Sequence, residues 1–144
     1  MPYATQSEFI DAFGEQLTIE LTNLEDPTAT AVDSTVFDRV AADGDSLIDS
    51  YLSGRYALPL ATVPGVLRSL ALDIYRYKLG HNAQEEDVRQ RYEDALALLK
   101  MIAMGTVNLG LPATDEAPGP GPVAYSAPRP IFSRDTLGDF GAWP

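Results

Sequence analysis

Three stretches of this chain repeat apolar residues at the 3.6-residue period of a helix, and a glycine stands just beyond each one. No other feature restricts the fold as strongly, because amphipathic helices joined by short connections can bury their stripes only against one another. The first stretch runs from Ser34 to about Leu52, with Val36, Phe37, Val40, Ala41, Leu47, Ile48, Tyr51 and Leu52 on its apolar side. Ser34 suits the N-cap and Gly54 the stop. The second follows Pro64, a residue suited to a first helical turn, and reaches Leu79 before Gly80. Leu67, Leu70, Ala71, Ile74 and Lys78 fall on one side of it. The third runs from about Ala83 to Met104, opened by Asn82 and Glu85 and closed by Gly105. Its stripe is Val88, Tyr92, Ala95, Leu96, Leu99, Ile102 and Ala103, and Glu85–Arg89 and Asp87–Arg91 stand in the favourable i,i+4 order.

The connecting pieces are less regular. Thr5 to Phe13 reads as a short helix, because Thr5 and Glu8 have capping-box spacing and Phe9, Ile10 and Phe13 share a face. Gly14 is its expected stop. Leu17, Ile19 and Leu21 alternate over too short a span to separate strand from helix, and residues 22–33 read as a loop. Gly44 interrupts the first long stripe at a cost of about 1 kcal/mol against alanine. It is therefore expected to permit a bend or the close approach of another backbone. Arg55 to Thr62 is apolar without helical period, and Pro59 blocks a helix there, so an extended connector against the core is expected. Thr106 to Leu111 fits a short strand.

The last 33 residues differ in kind, holding seven of the eleven prolines and four of the eleven glycines. Pro118-Gly119-Pro120-Gly121-Pro122 can hold neither a helix nor a central strand. The expected fold is mainly α: a small helical bundle over residues 1–111, with a short strand or hairpin, and an extended Pro/Gly-rich C-terminal arm over residues 112–144. The arm ends in Ile131, Phe132, Leu137, Phe140 and Trp143, with Arg129 and Arg134 among them. Five large apolar groups after a proline spacer suggest docking onto a neighbouring subunit or another partner, with the arginines suited to an acidic groove.

Charge narrows the functional classes. The chain of 144 residues has a net charge of −11. Residues 1–49 hold eleven acids and one base, Arg39, for a net of −10; residues 50–144 hold ten acids and nine bases, for a net of −1. Such a surface disfavours wrapping nucleic acid, which needs Lys and Arg at its phosphates. With no cysteine there is no disulfide framework or thiolate metal site, and a reducing compartment is compatible. No secretory signal is expected from Met1 to Glu8, and no run approaches the roughly 18 apolar residues of a membrane span.

The search for chemistry yields little. His81 is the only histidine and sits in a turn between helices, where a solvated role is expected. Asp43, Asp45 and Asp49 hint at a calcium loop, but Ile48 stands at the required glycine and Gly54 at the required glutamate, so these acids read as the solvated face of a helix. Gly105 to Gly110 has P-loop glycine spacing, but Leu111 and Pro112 replace the lysine and hydroxyl residue. Asp73 lies near an apolar stripe and is expected to form a structural ion pair with Arg55 or Arg76. The tyrosines Tyr51, Tyr56, Tyr75, Tyr77 and Tyr92 are explained by packing. No cofactor, metal or catalytic residue is expected.

Several blocks together carry a family resemblance. They are Tyr3-Ala4-Thr5; Phe13-Gly14; Ser53-Gly54-Arg55-Tyr56-Ala57-Leu58-Pro59-Leu60; Val63-Pro64; Leu70 to Tyr77; Arg89 to Leu96; and Phe132 to Leu137. In this order they resemble the Mu-like tailed-phage head–tail adaptor, or head completion, proteins. The resemblance implies a helical subunit forming a ring of about twelve copies, closed by symmetry, beneath the portal. The ring would extend the DNA channel and give a stopper or tail-completion protein its docking surface. It implies a virion protein of the head–tail interface, present in the host cytoplasm during assembly, with neither catalysis nor a membrane. DNA would pass through unbound, and Asp38, Asp45 and Asp49 are expected on the channel face, repelling phosphate over about 8 Å. Two other classes make different demands: a DNA-packaging accessory factor such as a small terminase subunit needs a basic recognition surface, and a small enzyme built on Asp73 and a tyrosine needs a pocket around them.

Overall fold

The structure is a computed structural model, and it describes residues 2–80 and 85–112. Five helices run in order among them: α1 Gln6–Phe13, α2 Glu15–Thr22, α3 Ser34–Leu52, α4 Gly65–Leu79 and α5 Glu86–Ala103. The three long helices pack against one another, while α1 and α2 lean on α3. Phe37, Ile48, Leu52, Leu67, Ile74, Tyr75, Leu99 and Ile102 are almost wholly buried between them. The mainly helical bundle expected from the sequence is the fold. Its expected strand is absent: Thr106 to Leu111 is a loop, pinned where the Leu109 N–H donates to the Tyr56 hydroxyl at 3.3 Å. Tyr56 and Leu60 of the connector are buried, as expected of a segment lying on the core.

Local chemistry explains the helix ends. Thr5 and Glu8 complete the capping box of α1, with the Thr5 N–H donating to Glu8 Oε2 at 2.8 Å and the Glu8 N–H to Thr5 Oγ1 at 3.3 Å. Gly14, at φ 93°, ends α1 and starts α2 with a sharp change of direction. At the other end of the bundle α5 closes in a Schellman turn. Gly105 at φ 79° lets its N–H reach the Ile102 carbonyl at 3.0 Å and the Thr106 N–H reach Met101 at 2.9 Å. A Cβ at Gly105 would also collide with the Arg55 guanidinium.

Several local expectations are corrected. The N-cap of α3 is Asp33, not Ser34: its carboxylate accepts from the N–H groups of Thr35 at 2.9 Å and Val36 at 3.2 Å. An Asp33→Ala change is therefore expected to cost about 1 kcal/mol in urea unfolding, and Ser34→Ala a few tenths. Equal losses at the two positions would place the cap wrongly. Lys78 is only half-buried, and Tyr75 and Leu79 complete the buried face of α4. On α5, Arg89 pairs with Glu86 at 2.6 Å and Glu93 at 3.5 Å, leaving Glu85 to Arg76 at 3.1 Å. Arg91 reaches across to α4 in place of Asp87. Asn82 and His81 lie outside the described residues, as does the arm beyond Pro112.

Candidate interaction surface

The acids of the first 49 residues divide by burial into two sets. Asp11, Glu15, Glu20, Glu25, Asp26, Asp38 and Asp43 are exposed, while Glu8, Asp33, Asp45 and Asp49 are half-buried. Each of the second set has a defined structural task. Glu8 caps α1 and pairs with Arg68 of α4 at 3.0 Å. Asp33 caps α3. Asp45 and Asp49, one turn apart on α3, hold the N-terminal segment. The Tyr3 N–H donates to Asp45 Oδ1 at 3.2 Å, the Tyr3 hydroxyl donates to Asp49, and the Tyr75 hydroxyl of α4 donates to Asp45.

This arrangement corrects the reading of Asp45 and Asp49 as a solvated face. Tyr3 and Tyr75 are buried, so the two carboxylates close a polar seam between the N-terminus, α3 and α4. Burial raises the Asp45 carboxyl above its usual range, against the pull of the bonds from Tyr75 and Tyr3. It raises both phenols as well, helped by hydrogen bonds to the carboxylates. Asp38, the third acid expected on a channel face, is exposed; with Asp45, Ala41 and Ala42 it lines a shallow groove of about 430 Å³.

Asp73 does form an ion pair, but with Arg91 of α5, at 3.8 Å, in place of Arg55. Burial raises its carboxyl, and Arg91 and then Arg76 draw it back. Arg55 instead lies against Gly105, with its guanidinium 5.9 Å from the centroid of the Tyr56 ring. Tyr77 and Tyr92 stack at 4.0 Å with their planes 8° apart, joining α4 to α5. These tyrosines pack, as their stripe positions suggest. Among the described residues no group of three or more His, Cys, Asp or Glu could hold a metal ion. No helix among them is long and apolar enough to cross a membrane.

A feature that sequence reading passed over lies in the loop between α2 and α3. Asn23 braces it, donating to the carbonyls of Ile19 and Ala31, each at 2.9 Å. Asp26 turns it, accepting from the Thr28 N–H at 3.0 Å and the Thr28 hydroxyl at 2.6 Å. Those bonds hold the Asp26 carboxyl below its usual range. On this braced loop Leu24 is 54% exposed, flanked by Glu25 and Asp26. Leu24 lines two grooves, of about 530 Å³ and about 290 Å³. Its signal in the sequence is an apolar residue followed by two acids inside the loop of residues 22–33. Arg129, Ile131, Phe132, Arg134, Leu137, Phe140 and Trp143, expected to make partner contacts, lie outside the described residues.

Known proteins are similar to this sequence. Residues 3–126 match the family described as bacteriophage Mu, Gp36. The chain is 42% identical over 90 residues to the Mu-like prophage FluMu protein gp36 of Haemophilus influenzae, covering 62% of this chain and 64% of that protein. This chain thus spans just under two thirds of that relative's length. It is 28% identical over 108 residues to Gene product J of Escherichia phage Mu, covering 74% of this chain and 77% of that protein. A family match over residues 3–126, most of the sequence, goes beyond a local motif: the chain belongs to the bacteriophage Mu Gp36 family.

Proposed function

We propose that this chain is a structural head–tail connector of a tailed phage. Copies of it form a ring beneath the portal that extends the DNA channel and presents a docking surface to a stopper or tail-completion protein. The observation that carries the proposal is a helical core with seven exposed acids in its first 49 residues, in a chain matching a phage-protein family over residues 3–126. Exposed carboxylates repeated around a ring would keep sliding DNA off the wall, because phosphate and carboxylate repel over about a Debye length, some 8 Å at physiological salt. Asp38 is an exposed acid of α3 suited to that wall. The proposal assigns the chain no catalytic role and no cofactor. It places the protein at the head–tail interface of the virion, and in the host cytoplasm during assembly.

Electron microscopy of the purified protein, alone and mixed with its phage's portal, tests this. The expected result is a ring with an open axial channel, stacked on the portal in the mixture. A protein that ignores the portal and binds the packaging-initiation DNA instead would replace this reading with that of a small terminase subunit.

A further inference from the structure

We infer that the acidic groove beside Leu24 is the receptor for the C-terminal segment Pro128–Arg134 of a neighbouring copy. This rests on the ring reading only in requiring a second copy. The groove is lined by the apolar Leu21, Leu24 and Val36 together with the acids Glu25, Asp26 and Asp33. Leu24 is among the few large apolar side chains exposed on the described residues. The segment has the complementary pattern: Ile131 and Phe132 lie between Arg129 and Arg134, with no acid between the two arginines. Apolar groups flanked by arginines are suited to a groove lined by apolar side chains and carboxylates, with burial supplying affinity and charge setting register. Arg39 is the one base lining the groove, and the segment's next residue after Arg134 is an acid, Asp135.

The position of the groove is compatible with an arm from a neighbour. It lies at the N-terminal end of α3, at Asp33 and Val36. The chain leaves the described core near the other end, where Leu109 is bonded to Tyr56 just beyond Leu52. The 19 residues of α3 separate the two by roughly 28 Å at 1.5 Å per residue. The 15 residues 113–127 could span at most roughly 46 Å at about 3.1 Å per residue, more than that separation and so enough to reach past the copy's own groove. A groove at one end and a departing segment at the other is the arrangement of a head-to-tail contact, which closes into a ring when repeated by rotation. The Asn23 and Asp26 hydrogen bonds preform the groove, so little ordering is required of the receptor side.

Photo-crosslinking in the full-length chain tests the inference. Phe132 is replaced by benzoylphenylalanine, and equal amounts of ¹⁴N- and ¹⁵N-labelled chains are mixed, irradiated and digested for mass spectrometry. The expected product joins the arm to residues 19–39 and carries mixed labels, showing that the contact is between copies. Leu24→Asp, or Arg129→Glu with Arg134→Glu, is expected to lower its yield about tenfold or more, as loss of an anchor or of charge matching should. Leu24 is exposed, so its replacement leaves the core intact; circular dichroism checks this. Crosslinks confined to a single label, crosslinks falling elsewhere, or an undiminished yield in the variants would each overturn the docking. Light scattering on the same samples reports particle size, so rings with the wrong crosslink refute the groove alone, and failure of the ring reading shows separately as the absence of rings.

Discussion

Gly44→Ala is expected to destabilise the protein by about 2 kcal/mol, although alanine is the better helix former. In an exposed helix the exchange would gain about 1 kcal/mol. Here Gly44 is buried in α3, and a Cβ would stand 2.6 Å from Cε1 and 2.7 Å from Cδ1 of Tyr75. Overpacking of this kind costs about 1–3 kcal/mol, and the upper end applies because the ring has nowhere to go. Its hydroxyl is tied to Asp45, and its edge meets Phe37 at 6.1 Å between centroids and 87° between planes. The glycine expected to admit a backbone or a bend instead admits a tyrosine ring. Urea unfolding is the measurement, with a lower midpoint at an unchanged slope. In a Tyr75→Phe background, where the ring has lost its tether, the same Gly44→Ala change should cost less. Stabilisation by Gly44→Ala, or an equal penalty in both backgrounds, would remove the pinned ring as the cause.

How far the sequence could be read follows from the range of the interactions involved. The long helices were legible because their signals are local: Phe37, Val40, Ala41 and Ile48 recur on one side of α3, and Leu67, Leu70, Ala71 and Ile74 on one side of α4. Helix α2 was ambiguous because its buried face is Thr18, Ile19 and Thr22. The two threonines escape the cost of burial by donating back to the carbonyls of Gly14 at 2.8 Å and Thr18 at 2.9 Å, which hides the helical period behind polar letters. The capping of α3 by Asp33 over Ser34 is a choice between adjacent residues that both suit the position. Asp45 and Asp49 were misread for a different reason. Nothing near them in sequence calls for burial; their partners are Tyr3 and Tyr75, 42 to 46 and 30 residues away. The same limit applied to Asp73, where the arginine that reaches it comes from α5, a helix later in the chain. A long-range polar pair leaves no period to read.

Those pairs give the protein an alkaline weakness. Above pH 10 its stability is expected to fall steeply, and most of the fall should be traceable to Tyr3 and Tyr75. In the unfolded chain both phenols lose their protons around the ordinary value of 10. In the folded chain burial, and next the carboxylates to which they donate, hold the protons to higher pH. The folded state therefore binds more protons than the unfolded state once pH passes 10. The contribution of these groups is fully present below that point and is lost as pH climbs through the interval between the unfolded and folded values. Each group lowers the unfolding free energy by about 1.4 kcal/mol per pH unit there, or roughly 2.7 kcal/mol for both. Asp45, also raised by burial, acts on the acid side: its contribution is present below its unfolded value and lost as pH rises through its folded one, so it leaves the alkaline slope untouched. Urea unfolding at intervals between pH 8 and pH 11 measures the slope. Tyr3→Phe and Tyr75→Phe should each start about 1 kcal/mol lower near neutrality, having lost a hydrogen bond, and yet each should flatten the decline. Released from the seam, the N-terminal segment would leave Asp45 and Asp49 facing one another across a single turn of α3 without their donors. A double variant that declines as steeply as the parent above pH 10 would show that the seam between the N-terminus, α3 and α4 does not control the alkaline limit.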